Sequence, residues 1–158
     1  RLFFQLYGLE TISLRYFNIF GPKQDPNSLY SAVIPKFIDA LIQGRAPTIF
    51  GDGEQSRDFT YIENVVQANL LAMSAEYVRG EAVNIACGKR ISLNELFKVL
   101  KEILGSKQSP VYQEPRQGDV KHSLADIRRA KEIIDYEPKV GIEPGLKKTV
   151  DFFRGQKK

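Results

Sequence analysis

Apolar positions recur along this chain with two periods that take turns. Leu2, Phe3 and Leu6 share a helical face, and Gly8 follows as the residue that ends a helix. Residues 11–16 alternate instead, with Ile12, Leu14 and Tyr16 on one side, which predicts a strand. After a polar loop, helical spacing returns over 31–43 at Ile34, Phe37, Ile38, Leu41 and Ile42, closed by Gly44. Residues 47–50 predict a short strand leading into a glycine turn. The second half repeats the rhythm: a helix over about 64–77, a strand over 82–85, a helix opened by Ser92 with Glu95 three residues on, and a strand over 110–114. Asp126 is placed to cap a further helix carrying Ile127, Ala130, Ile133 and Ile134, and Pro144 to open a last one at its first position. Helices alternating with short strands predict an α/β fold.

The densest polar stretch interrupts this rhythm at Gly51-Asp52-Gly53-Glu54-Gln55-Ser56-Arg57-Asp58-Phe59-Thr60-Tyr61-Ile62-Glu63-Asn64. Two glycines around an aspartate predict a tight turn, because glycine tolerates positive φ. A strand should follow, with Arg57, Phe59 and Tyr61 on one face and Asp58, Thr60 and Ile62 on the other. Asn64 with Gln67 has the spacing of a capping box. Arg57 then stands where a polar turn meets an apolar strand. There its planar guanidinium can be aimed at a carboxylate or phosphate; the plainer alternative is a surface arginine paired with Glu54 or Asp58.

Charge and composition narrow the chemistry. The 158 residues carry a net charge of +4, with Lys and Arg scattered apart from Lys147-Lys148 and Lys157-Lys158. A scattered balance favours a small anionic ligand over a nucleic-acid groove. The single cysteine, Cys87, excludes an intramolecular disulfide and suits a reducing compartment, so a cytoplasmic protein is expected. No apolar run approaches the roughly 18 residues of a membrane span. The start has no signal-peptide order and no Met, and a helix end at residues 1–7 predicts a chain that opens within a longer protein.

Catalytic motifs are thin. No Cys/His cluster has metal-ligand spacing, and His122, the one histidine, sits in a charged loop. Gly51-Asp52-Gly53 precedes a strand rather than a helix, the wrong context for a dinucleotide fingerprint. Three loop arginines stand out, Arg57, Arg116 and more weakly Arg45. Two of them converging on one pyrophosphate would make a strong anion clamp.

Five blocks in order resemble nucleotide-sugar epimerases of the extended short-chain dehydrogenase/reductase family. They are residues 14–22 (Leu-Arg-Tyr-Phe-Asn-Ile-Phe-Gly-Pro), Val33-Ile34-Pro35-Lys36-Phe37, Thr48 to Gly53 with Arg57-Asp58-Phe59, Asn84-Ile85 with Ser92-Leu93, and Arg116-Gln117-Gly118-Asp119. The resemblance runs from about residue 2 to 154 and is nearest to UDP-glucose or UDP-N-acetylglucosamine 4-epimerases. It implies an NAD-dependent enzyme, a homodimer when complete, acting on a UDP-sugar and not on nucleic acid or membrane. Nucleotide-sugar 4,6-dehydratases or decarboxylases, or a non-catalytic nucleotide-sugar binding module, are the alternatives. The family's Tyr-x-x-x-Lys base pair and glycine-rich NAD motif are both absent here, so the chain is similar to the C-terminal, substrate-binding half and is expected to be inactive alone.

The resemblance also implies an organisation and a site. Residues 1–22 would close an incomplete NAD-binding Rossmann domain. Residues 23–158 would be mainly the nucleotide-sugar domain, with a strand near 82–85 returning to the Rossmann sheet. Phe17 would lie beside the nicotinamide. Asn18 would lie near the diphosphate or sugar, and Ala32 and Val33 near the phosphates. Thr48 and Phe50 would border a uracil read mainly by backbone groups. Arg57 and Arg116 would clamp the pyrophosphate, and Asp119 would meet a ribose hydroxyl or orient Arg116. Ser123 would line the pocket near C2 of the hexose, where a small residue leaves room for an N-acetyl group.

Overall fold

The structure is a computed structural model and describes residues 1–27 and 33–155. In chain order the first half runs α1 (Leu2–Tyr7), β1 (Ile12–Tyr16), β2 (Ile19–Phe20), α2 (Val33–Ile42), β3 (Thr48–Phe50), β4 (Ser56–Arg57), β5 (Thr60–Tyr61) and α3 (Ile62–Ser74). The second half runs β6 (Glu81–Ile85), β7 (Ile91–Ser92), α4 (Leu93–Leu104), β8 (Val111–Gln113), α5 (Arg128–Ile134) and α6 (Ile142–Gly155). The α/β reading holds. The strands pair two by two rather than in one sheet: β1 with β6, β2 with β5 and β3 with β8 are parallel, and β4 with β7 is antiparallel.

Two cores follow from this pairing. The larger is built by α2, α4 and α6, where Ile34, Phe37 and Ile38 meet Leu96, Leu100, Leu146 and Val150. The smaller lies under the β1–β6 pair, where Val83 and Ile85 pack with Val65 and Ala68 of α3 and Ala130 and Ile134 of α5. Each Val, Leu, Ile or Phe side chain among them contributes roughly 1.5–3 kcal/mol on burial. Gly145 of α6 lets that helix close on the aromatic pair of β2 and β5: a Cβ there would lie 2.9 Å from both Phe20 and Tyr61.

Helix ends follow local chemistry where it is strong. Ser92 and Glu95 form the expected reciprocal cap of α4, and Gly105 closes that helix in the left-handed region. Three expected ends are corrected. Asn64 lies inside α3, whose N-cap is Tyr61. Its buried amide is spent on a distant loop: Nδ2 donates to Val140 O at 2.8 Å, and Oδ1 accepts from the N–H groups of Lys139 and Val140 at 3.0 Å. Asp126 precedes the actual N-cap of α5, Ile127, yet its carboxylate still accepts the Arg128 N–H at 3.0 Å. Helix α6 begins two residues before Pro144. The strand expected after the glycine turn is broken at Asp58 and Phe59 into β4 and β5, because Asp58 turns inward.

One face remains uncovered among the described residues. On α3, Val66, Leu70 and Met73 are 53%, 61% and 84% exposed, and Leu2, Phe3, Leu6 and Tyr7 of α1 are exposed as well. Spacings of three and four put the α3 residues on one stripe. The far side of the β1–β6 pair, with Ser13, Arg15, Ala82 and Asn84, is open too, whereas parallel sheets are normally covered on both faces. The 158 residues alone should therefore self-associate. Sedimentation over a concentration series checks this; a monomer at all concentrations with a sharp two-state melt would count against it.

Candidate functional site

The β1 and β6 strands run parallel and end together, Tyr16 against Ile85, with the Phe17 N–H donating to Ile85 O at 3.1 Å. Crevices of α/β folds open at such carboxyl ends. Directly after β1, Asn18 takes a positive φ of 38°, and its side-chain amide donates to Asp58 O at 3.0 Å. The glycine turn is held from two sides. Gly51 N–H donates to Gln113 O at 2.8 Å, and Gly53, at φ 77°, packs so close to Asn94 that a Cβ would fall 2.1 Å from its Oδ1. The turn thereby feeds β4 and Arg57 past the ends of β3 and β8.

A cavity of about 240 Å³ lies there, lined by Asn18, Val33, Lys36, Phe37, Thr48, Phe50, Gln55, Arg57, Phe59, Leu93, Arg116 and Asp119. A second hollow of about 400 Å³ shares Phe50, Gln55, Arg116 and Asp119 with it. Arg57 and Arg116, 59 positions apart in the sequence, thus face one space. The Arg57 side chain is only 17% exposed. It forms an ion pair with Asp119, and its Nη1 donates to Ser56 O at 2.9 Å and Lys121 O at 3.3 Å. Neither sequence alternative, Glu54 nor Asp58, is its partner. The Arg116 guanidinium lies 3.9 Å from the Phe50 ring centroid, a cation–π stack. Three cations and one carboxylate leave the walls with an excess of positive charge over an apolar floor of Val33, Phe37, Phe59 and Leu93.

Of the sequence candidates, Asn18, Val33, Thr48, Phe50, Arg57, Arg116 and Asp119 come together in this wall. Ala32 lies outside the described residues. Phe17 and Ser123 are half-buried but line neither hollow, and the Ser123 N–H is tied to Ser56 O at 3.0 Å. Arg45 points elsewhere and pairs with Asp39 at 3.1 Å. Lys36 and Gln55 were missed. Lys36 stands in a quoted block without a role, and Gln55 in a polar turn carries no periodic signal.

Below the wall Asp58 is fully buried. Its carboxylate accepts N–H groups from Cys87 at 3.0 Å, Gly88 at 2.9 Å and Ala125 at 3.4 Å. Burial pushes its pKa up against these donors. Burial, with the Asp58 charge second, pushes the Cys87 thiol up to about 11, which removes it as a thiolate nucleophile near neutral pH. His122 Nδ1 lies 2.9 Å from Ser56 Oγ. Among the described residues no acidic, His or Cys cluster is placed to hold a metal, and no helix is long and apolar enough to cross a membrane.

Comparison with known proteins identifies the family and the fold. The model of the NAD dependent epimerase/dehydratase family matches residues 2–86. UDP-glucose 4-epimerase of Thermotoga maritima, solved with UDP-glucose, superposes with a TM-score of 0.93 at 45% identity, covering 99% of this chain and 50% of that one. UDP-N-acetylglucosamine 4-epimerase of Methanobrevibacter ruminantium, in complex with UDP-N-acetylmuramic acid, gives 0.92 at 45% identity over 98% and 49%. UDP-glucose 4-epimerase of Mycolicibacterium smegmatis is 34% identical over 96% of this chain and 48% of its own length. Other curated relatives are named as UDP-sugar decarboxylases, and some solved neighbours are NAD complexes. The chain spans about half the length of the curated relatives it matches. It belongs to the NAD dependent epimerase/dehydratase family.

Proposed function

We propose that this chain supplies the UDP-sugar binding part of an NAD-dependent nucleotide-sugar 4-epimerase. The observation that carries the reading is the convergence of Arg57 and Arg116 with Phe50 and Asp119 on one cavity. A diphosphate presents several anionic oxygens, and two fixed guanidiniums can pair with them bidentately. The Phe50 ring offers a flat apolar surface for a base. Its strand offers backbone groups too: Gly51 N–H and Pro47 O are spent on β8, so those of Thr48 and Phe50 face the other way, where Phe50 O already accepts from Gln55 Nε2. Asn18, at the end of β1, stands where the hexose joins the diphosphate.

NAD, when bound, supplies the hydride chemistry of the family. In this reading the dinucleotide cradle and the Tyr-x-x-x-Lys base lie in sequence outside these 158 residues. The surface that would meet them is the β1–β6 pair with α1 and α3. The complete protein would be a homodimer in this reading. The UDP-sugar decarboxylases among the relatives support a second reading in which the same site serves decarboxylation of a UDP-uronate.

The test is turnover. The intact protein with NAD should interconvert UDP-glucose and UDP-galactose, or their N-acetyl counterparts, and the 158 residues alone should not. Carbon dioxide release from a UDP-uronate in place of epimerisation would favour the second reading. Activity in the purified 158 residues would overturn the division of labour.

A further inference from the structure

Strand β4 has a neighbour on each edge. β7 pairs with it antiparallel, and on the other edge Ser56 bridges to His122. There the Ser56 N–H donates to Lys121 O at 2.9 Å, and the Ser123 N–H donates to Ser56 O at 3.0 Å. Residues in register across such a bridge project to the same side, and their chain neighbours to the other. Arg57 and Lys121 accordingly reach the hollows described above. Ser56 and His122 instead line a separate surface hollow with Glu54, Arg90 and Glu95. In it a hydrogen bond of 2.9 Å joins Ser56 Oγ and His122 Nδ1. Ser56 is buried and held between two segments, so the bond anchors the exposed histidine and not the reverse.

What His122 anchors is the strap from Glu114 to Lys121, which is exposed throughout and carries both Arg116 and Asp119. Two of the strap's ties come from Arg57, which pairs with Asp119 and donates to Lys121 O. A diphosphate drawn into the clamp competes for those same donors, because one guanidinium fork has to be shared. The His122 bond lies on the face away from the cavity, where a ligand in the cavity does not compete for it. Resting on the UDP-sugar reading above, we propose that His122 is a positioning residue for the diphosphate clamp. Its bond to Ser56 keeps Arg116 and Asp119 against β4 while Arg57 turns part of its fork to the ligand. The imidazole touches no ligand itself and acts through Arg57 and Asp119.

The experiment measures UDP binding to the intact protein by calorimetry, for two variants alike in shape and opposite in polarity. The position is exposed, so neither side chain has to fit a core. His122→Leu removes the bond and should weaken UDP binding about three- to tenfold, the worth of one hydrogen bond. His122→Asn sets an amide atom near the place of Nδ1, able to donate or accept, and should bind UDP within about twofold of the unsubstituted protein. In an Arg57→Ala background the loss from His122→Leu should shrink below about twofold, since the partner through which it acts is gone. Equal binding by the leucine and asparagine variants, whether both tight or both weak, overturns the proposal. So does a leucine loss that persists in full without Arg57, which would make His122 a general support of the fold. If the unsubstituted protein does not bind UDP, the UDP-sugar reading itself fails and takes this inference with it.

Discussion

Arg57→Ala in the intact protein should weaken UDP binding by roughly 30- to 1000-fold, about 2–4 kcal/mol. The side chain is mostly enclosed, so its charge acts in a medium that screens it poorly. Its removal does two things at once. The diphosphate loses a planar donor pair, and Asp119 loses its partner and turns an uncompensated carboxylate toward the anion. Arg57→Lys should recover only part of the loss, because an ammonium cannot serve Asp119, two backbone carbonyls and a phosphate in one fork. Lys36 provides the contrast. It lines the same cavity but is exposed, so Lys36→Ala should cost no more than about 1 kcal/mol and fade at high salt. Calorimetric Kd values for UDP at two ionic strengths check both. A change below about twofold for Arg57→Ala would remove it from the clamp.

This contrast marks how far the sequence could be read. The arginines were visible because a cation at a glycine-rich turn has few structural duties, and the fold does bring Arg57 and Arg116 to one space. Their geometry was not visible. Arg57 pairs with Asp119 across 62 positions, and no local pattern encodes that choice over Glu54 three residues away. The same holds for Asn64. Locally it reads as a cap, and the structure spends it on residues 139–140, because a buried amide goes where three backbone groups need partners. Phe37, Phe59 and Leu93 follow helix or strand spacing and read as core; they are both core and cavity floor. The reciprocal cap at Ser92 and Glu95 was legible because every atom it uses lies within four residues.

Asp58→Ala should be the most damaging single change to stability, about 3–5 kcal/mol, a large share of the 5–15 kcal/mol that holds a typical domain. The residue joins three segments: the β4–β5 break, the turn at Cys87 and Gly88 after β6, and the approach to α5 at Ala125. Alanine would leave those three N–H groups facing a cavity without an acceptor, each costing about 1–3 kcal/mol unless water enters. Asp58→Asn should lose less. It keeps one acceptor oxygen but sets an NH₂ against a backbone donor. The pair also separates shape from charge through pH. Burial raises the folded-state pKa of Asp58 above its unfolded value near 3.9. The folded protein then holds the proton more tightly than the unfolded chain. Stability from this group is fully present below the unfolded pKa and declines as pH rises through the folded one. Asp58→Asn has no such proton. Its deficit against the unsubstituted protein should therefore widen as pH is lowered from 7 toward 4. Denaturation midpoints of the intact protein and both variants across that range make the measurement. A deficit that narrows on acidification would mean the three N–H donors outweigh burial. A loss under about 1 kcal/mol for Asp58→Ala would mean the three segments are held together by packing alone.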